Sequence, residues 1–522
     1  MIRSLALAFT VAFAAPVLAA PPSDLDTTVA AIMAQSGTPG VAIGIVENGK
    51  VSWARGYGVK RLGGGERVGA DTLFEIGSVS KAFTTAGLAL LVDEGKIGWD
   101  DKVIDHLPEF QMADPWVTRE FTIRDLLVHR SGLGLGAGDL TFVPRSTITR
   151  AEVVRAVRYL KPQTSFRSAF AYDNLLYVVA GVLIERVSGQ SWEDFTRTRL
   201  LRPAGMAAST TDEASRWRNP DRAQPHQRLG PPAVGLGDLV MVDERRGLSP
   251  NAYPAGGIMS SVNDMNRWIA LQLAQGRLPG GKPLWSIAQA REMWTPVTQL
   301  PIAPKTGALA VTVPQFSGYG LAWTISDYRG TRIVAHSGGT LGFLTRLVLM
   351  PGRDIGFIIV QNSMDSEVMG ALQYVLLDHY LGLPPTDWGK ALHDATADGN
   401  RQALAVLAAA QNPARQAPPS LPLAGYAGDY KDAWYGGMTI TADAAGTLAI
   451  DFRRTPGMVG TLQPYSADTF LTRWRDPTIE PAYVTFVTTP TGRIERVRMV
   501  ASSPLADFSY DYRDLDFVPV DK

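Results

Sequence analysis

The hydrophobic period of this chain changes once, across a proline-rich run from Pro413 to Pro422, and that change constrains the fold more than any bulk property does. Before the run, segments with apolar residues three and four apart alternate with segments patterned at every second residue. After it only short alternating segments remain: Met438 to Thr441, Leu448 to Phe452, Phe470 to Trp474, Tyr483 to Thr488 and Ile494 to Val500. Turns at Ala444-Ala445-Gly446 and Pro490-Thr491-Gly492 separate neighbours. A chain of 522 residues also exceeds one core, since single cores stop growing near roughly 250–300 residues. We therefore expect an α+β domain over residues 21–385, a helix and Pro-rich linker over 386–420, and an all-β domain, barrel or sandwich, over 421–522.

In the larger part, a helical pattern from Leu25 to Gln35 precedes two strand patterns, Val41 to Glu47 and Val51 to Val59. Between them lies Asn48-Gly49, a strong hairpin signal. Four further strands are expected at Tyr319–Ile325, Arg332–His336, Phe343–Met350 and Ile355–Gln361. Turns fall at Asp327 to Gly330 and at Pro351 to Asp354. This predicts an antiparallel sheet assembled from both ends of the domain, with the intervening helices on one face and in a second lobe. Thr122 is read as the N-cap of a short helix ended by Gly132 and Gly134. The Pro- and Gly-punctuated stretch from Pro203 to Gly257 is expected to wall a cleft.

At the N-terminus, Arg3 precedes an apolar run from Leu5 to Ala15 and the small residues around Ala19 and Ala20. That is the pattern of a secretory signal peptide over residues 1–20, too short to span a bilayer, which takes roughly 20 apolar residues. With no cysteine, neither a disulfide nor a lipoprotein anchor is available. An exported protein without an integral span, periplasmic or secreted, is expected. Lys plus Arg and Asp plus Glu number 50 each without a basic block, which argues against nucleic acid as a partner. The histidines, His106, His129, His226, His336, His379 and His393, show no metal-ligand spacing. No phosphate loop is present, and neither a metal nor a cofactor is expected. Oligomeric state is left open.

The chemistry concentrates at Leu73-Phe74-Glu75-Ile76-Gly77-Ser78-Val79-Ser80-Lys81-Ala82-Phe83. An apolar lead-in reaches Gly77, and Phe83, Ala86, Leu90 and Leu91 then recur at helical spacing. Ser78 falls at the helix start and Lys81 one turn later, a hydroxyl beside an amine, as in a nucleophile with its base. Alone, such an S-x-x-K is more often a cap serine above a solvated lysine. Tyr172-Asp173-Asn174 sits on a loop before the apolar helix Leu175 to Val187, and His336-Ser337-Gly338-Gly339 ends one expected strand. Taken singly, these are a packed aromatic, a helix cap and a strand-end histidine.

In the order S-x-x-K, Y-x-N, H-x-G, however, the three motifs resemble the serine β-lactamase and penicillin-binding-protein superfamily. The closer resemblance is to its class C β-lactamase-like branch, of peptidase S12 type. Asp101-Lys102-Val103 with Leu107-Pro108-Glu109-Phe110 fits that branch, as do Leu126 to Leu133, Pro254 to Ser261 and Gly318 to Leu321. The resemblance covers residues 22 to 385. It implies a β-lactamase/transpeptidase-like domain with Ser78 as nucleophile and with Lys81 and Tyr172 sharing the proton transfers, their division left open. Asn174 would position Lys81 and bind the substrate amide, and His336 and Gly338 would border the substrate. The backbone N–H groups of Ser78 and Gly339 would form the oxyanion hole. His129, in a family signature, is read as structural. The terminal domain looks like the lipocalin-like appendage of that branch and is expected to cap the cleft. Its Trp434, Tyr435, Trp474, Tyr510 and Tyr512 are read first as core and second as ligand lining.

Many β-lactamases carry K-T-G where this chain has His336, and a histidine is mostly neutral above a pKa of about 6.5. A substrate carboxylate would be held less firmly there. The expected function is an exported serine hydrolase cleaving amide or peptide bonds through an acyl-enzyme on Ser78, including bonds in peptides with D-residues. Its substrate would be a small peptide, amide or ester. Carboxylesterase and β-lactamase activity are the alternatives within the family, and a non-turnover penicillin-binding sensor is the alternative from another class. Ala335-His336-Ser337-Gly338-Gly339 approximates the G-x-S-x-G turn of α/β-hydrolases, with His379 or His393 as base. That turn must lead into a helix, whereas Leu341 to Met350 reads as strand.

Overall fold

Strands buried at both parities must be covered on two faces, and β1 (Gly40–Glu47) and β12 (Ile355–Gln361) are buried at every position. They pair antiparallel with Ile43 opposite Ile359, which joins the two ends of the large domain. β2 (Lys50–Gly58) flanks β1 on the outer side. Beyond β12 follow β11 (Phe343–Met350), β10 (Thr331–Thr340), β9 (Thr324–Tyr328), β8 (Ser317–Tyr319) and β7 (Thr298–Gln299), completing an eight-stranded sheet. Two small pairs lie apart from it: β3 (Phe74–Glu75) with β6 (Met259–Ser260), and β4 (His226–Leu229) with β5 (Asp238–Met241). This computed structural model describes residues 20–410 and 417–520. The expected signal peptide lies outside the described residues but for Ala20, as does the start of the expected linker run at Pro413.

The alternation along the strands decides the layers. Ile43, Phe357 and Ile359 face the helices Leu25–Ser36 and Ser366–Leu381. Ala42, Val46, Ile358 and Val360 face the other way, toward helix Val262–Leu273 and the helical lobe. Helix Ser80–Asp93 is buried on every side from Ser80 to Leu91, as expected of a helix running through a core. Among the described residues no helix is long and apolar enough to cross a membrane.

Several local expectations are corrected. Tyr319 to Ile325 is not one strand: β8 ends at Tyr319 and β9 begins at Thr324. The Gly320 N–H bonds the Trp323 carbonyl and Ala322 takes a positive φ of 68°, closing a tight hairpin. β10 does not end at His336 but continues to Thr340, so the whole H-x-G motif lies within a strand. Thr122 caps no α-helix. Its hydroxyl donates to Asp125 Oδ2 at 2.7 Å beside a single 3-10 turn, Arg124–Leu126. The stretch from Pro203 to Gly257 contains the helix Glu213–Arg218 and the β4–β5 hairpin.

The terminal domain is a closed barrel of β13 (Gly428–Asp432), β14 (Gly436–Ala442), β15 (Leu448–Phe452), β16 (Val459–Ser466), β17 (Thr469–Trp474), β18 (Ala482–Thr488), β19 (Ile494–Ala501) and β20 (Asp516–Pro519). Closure comes from β13 against β20, with Tyr430 opposite Pro519, and it leaves no free edge. Leu448, Ile450 and Phe452 point inward at alternate positions. The barrel docks on the helical lobe through Arg454, which donates to both carboxylate oxygens of Glu152 at 2.8 and 2.9 Å. A second ion pair, Arg246 to Asp476 at 2.7 Å, ties it to the cleft wall.

Candidate active site

Ser78 lies in a 3-10 turn, Gly77–Val79, and the α-helix proper begins at Ser80. The serine is therefore not a side-chain cap but the half-buried middle residue of a turn held from behind. What holds it is β10. A Cβ on Gly338 would stand 2.0 Å from the Ile76 carbonyl oxygen and 3.0 Å from Ser78 N. One on Gly77, whose φ is +50°, would stand 2.7 Å from Gly339 N. Only glycine permits this approach, and it sets the backbone amides of Ser78 and Gly339 in neighbouring positions.

Lys81 is wholly buried beneath Ser78. Its Nζ lies 2.9 Å from Ser78 Oγ, 2.7 Å from Asn174 Oδ1 and 2.9 Å from the Ala255 carbonyl oxygen. Burial brings its pKa down to about 7, against the opposing pull of the Asp139 and Asp173 carboxylates. The geometry fits the neutral amine. Two of its three contacts are with oxygens that can only accept, so they take the two N–H bonds of a neutral amine. The lone pair is then left facing Ser78 Oγ.

Tyr172 stands beside Ser78, and burial raises its phenol pKa despite a hydrogen bond with the serine. The phenol therefore stays protonated near neutral pH. Behind it the fully buried His129 ring packs at 4.2 Å between centroids, and His129 Nδ1 accepts from the Asp173 N–H at 3.1 Å. That contact places His129 as a support for the tyrosine. His336 Nδ1 lies 2.6 Å from the Ser337 carbonyl oxygen, so this nitrogen carries the proton. Nε2 then accepts from the Tyr319 hydroxyl at 2.8 Å. Burial, reinforced by the Lys81 and Arg346 charges, takes the His336 pKa down to about 3. The ring is neutral and brings no cation to the cleft.

These groups open into a cleft of about 960 Å³. Ser78, Tyr172, Asn174, His336 and Gly339 line its floor, and Arg245 to Leu248 form one wall, as expected for the loop before Gly257. The opposite wall is the barrel, including Asp476, Phe508, Ser509 and Tyr510. Tyr510 thus lines the cleft, while Trp434, Tyr435 and Tyr512 are barrel core. Sequence reasoning missed Asp139, Phe508, Ser509 and Asp511, because each reaches the site from a segment without a motif, and it gave Tyr319 no role although the residue lies within the Gly318 to Leu321 signature. Ser337, the rival nucleophile, sits on a strand that turns into β11, with no helix behind it.

An S-x-x-K pair, a half-buried tyrosine and a glycine-bearing strand around one cleft form an acyl-transfer geometry. The chain matches the family described as Beta-lactamase over residues 25–381. The chain belongs to the beta-lactamase family. A second match, described as a domain of unknown function (DUF3471), spans residues 412–519 of this beta-lactamase-family chain. The chain is 32% identical over 464 residues to the "Unguisins hydrolase ungD'" of Aspergillus campestris, covering 83% of this chain and 81% of the relative. It is 29% identical over 336 residues to "Penicillin-binding protein 4" of Amycolatopsis lactamdurans, covering 64% and 83%. Its fold is shared with the octameric penicillin-binding protein homologue from Pyrococcus abyssi, at a TM-score of 0.61 and 20% identity over 95% of this chain and 99% of that one. It is shared too with a class C beta lactamase from Rhodobacter sphaeroides, at 0.51 and 19% over 69% and 100%. The protein is a serine hydrolase of the β-lactamase and penicillin-binding-protein type.

Proposed function

We propose that this enzyme is an exported hydrolase that cleaves amide or peptide bonds through an acyl-enzyme on Ser78, including bonds in peptides that contain D-residues. The observation that carries the reading is the Lys81 amine, buried, depressed to about pH 7 and 2.9 Å from Ser78 Oγ. Neutral Lys81 takes the Ser78 proton as Oγ attacks the carbonyl carbon, giving a tetrahedral intermediate and a lysine ammonium. The backbone N–H groups of Ser78 and Gly339 stabilise the oxyanion. Protonated Tyr172 passes a proton to the leaving nitrogen and is reprotonated from Lys81. Water then attacks the acyl carbon as the same groups return Ser78 to its starting state. The raised phenol pKa favours Lys81 as the base and Tyr172 as the shuttle.

The neutral His336 supports a substrate that does not need a fixed cation at that strand, which favours amides over β-lactams. A relative named as a hydrolase, aligned over 83% of this chain, supports turnover over permanent acylation. Assays of wild type and Ser78→Ala on D- and L-aminoacyl amides, D-Ala-D-Ala peptides, p-nitrophenyl esters and a chromogenic cephalosporin test the reading. Wild type should turn over amides faster than the cephalosporin, and Ser78→Ala should be inactive. A stable adduct without turnover, or activity surviving in Ser78→Ala, would overturn it.

A further inference from the structure

The polar chain that begins at Lys81 runs through Asn174 and out of the catalytic domain. Asn174 accepts from Lys81 through Oδ1 and donates from Nδ2 to Asp139 Oδ2 at 2.8 Å. Turned by 180°, the amide would set its NH2 against the lysine N–H bonds and its oxygen against a carboxyl oxygen, so Asp139 fixes which way round it stands. Asp139 is wholly buried, and the same Oδ2 accepts from Ser509 Oγ at 2.9 Å. Ser509 belongs to the barrel, on the segment between β19 and β20. Two residues on, the Asp511 carboxylate accepts from the backbone N–H groups of Gly138 at 2.6 Å and Leu140 at 3.1 Å, on either side of Asp139. The barrel thus grips both the backbone and the side chain of Asp139.

We propose that Asp139 and Ser509 are positioning residues for the acyl transfer described above, holding the Lys81 lone pair on Ser78 through the Asn174 amide, so that the barrel completes the catalytic site. The proposal rests on the reading of Ser78 as nucleophile and Lys81 as base. Of the two acceptors that orient the amine, the Ala255 carbonyl is fixed by backbone, whereas Asn174 Oδ1 is fixed only by what its amide bonds on the other side. Burial and the nearby Asp511 push the Asp139 pKa well up, while the hydrogen bonds from Asn174 and Ser509 pull it down. A misplacement of about 1 Å in such a pair is enough to cost roughly 10²-fold in rate.

The test is steady-state hydrolysis of p-nitrophenyl acetate by the full-length chain, with thermal unfolding of each variant. Asp139→Ala should lower kcat by about 10²-fold and Ser509→Ala by a smaller factor, each with KM little changed. Asp139→Asn keeps an oxygen for both donors and should recover most of the loss. Because both residues act through one amide, Ser509→Ala should cost nothing further in the Asp139→Ala background, a departure from additivity that independent sites do not show. Folded Ser509→Ala with wild-type kcat, or fully additive losses, would overturn the proposal. If Asp139→Ala does not fold, Ser509→Ala is run in the Asp139→Asn background, where the acceptor oxygen persists, and should lower kcat there by the same factor as in wild type; no loss there would overturn the proposal. Ser78→Ala separates the two levels: activity there removes the underlying reading, while inactivity there with an unaffected Ser509→Ala removes the positioning role alone.

Discussion

A lysine can serve as a base at neutral pH only when its ammonium is made costly, and burial does this to Lys81. In water its pKa would stand near 10.4; here it lies at about 7. The sign follows directly. Below that value Lys81 is protonated and cannot accept from Ser78, so kcat/KM should fall about tenfold per pH unit on the acid side. Above it the amine is neutral and the rate should level off. A profile on amide substrate checks this, and an acid limb near pH 10 would instead describe a solvated lysine. His336 should add no inflection between pH 5 and 8, since its ring is neutral there.

At the scale of elements, the site depends on how closely β10 approaches the turn Gly77–Val79. Gly338→Ala places a methyl 2.0 Å from the Ile76 carbonyl oxygen, and neither backbone can move without moving Ser78. The expected cost is about 1–3 kcal/mol of stability, as for other overpacked positions. Activity should fall by up to about 10²–10³-fold, the effect of losing an oxyanion donor. Gly339→Ala is the control. Its Cβ meets only Leu344 Cδ2, at 3.5 Å, so stability should change by less than about 0.5 kcal/mol. Thermal unfolding with single-turnover kinetics on the two variants decides between close packing and mere flexibility as the reason for these glycines.

For the whole molecule, the barrel forms one wall of the cleft, and Phe508 is the part of it that meets Tyr172 edge-on, 6.1 Å between ring centroids. Phe508→Ala should widen the cleft beside Tyr172 and raise kcat/KM for long-chain p-nitrophenyl esters relative to acetate by about tenfold, the scale of one or two methylenes of pocket discrimination. An unchanged chain-length preference would show that the wall does not select substrate. The ion pair of Arg454 with Glu152 is partly exposed, and such pairs contribute about 0–1 kcal/mol. The buried bonds of Asp511 to Gly138 and Leu140 therefore matter more to docking, since losing their acceptor strands two buried N–H groups at about 1–3 kcal/mol each.

Periodicity and turn residues were enough to read the antiparallel sheet built from both chain ends and the separate β domain, and the family resemblance carried by the motif order picked out Ser78, Lys81, Tyr172, Asn174, His336 and Gly339, which the fold gathers at one cleft. These are local signals: a helix start, a loop before a helix and a glycine pair each occupy a few consecutive residues. β13, β16 and β20 were not legible, because β13 alternates through Asp429 and Lys431, β16 carries Gly460, Gln463 and Pro464, and β20 is only four residues long. Barrel closure fixed them instead. The state of each site group was equally a tertiary matter. S-x-x-K is compatible with a cap serine and a solvated lysine, and only burial beneath Ser78 brings the Lys81 pKa down to about 7. Nothing in the sequence links Ser509 to Asp139, 370 residues apart. Docking of the barrel brings them within a hydrogen bond, because burying Asp139 and the flanking N–H groups leaves them no water to bond.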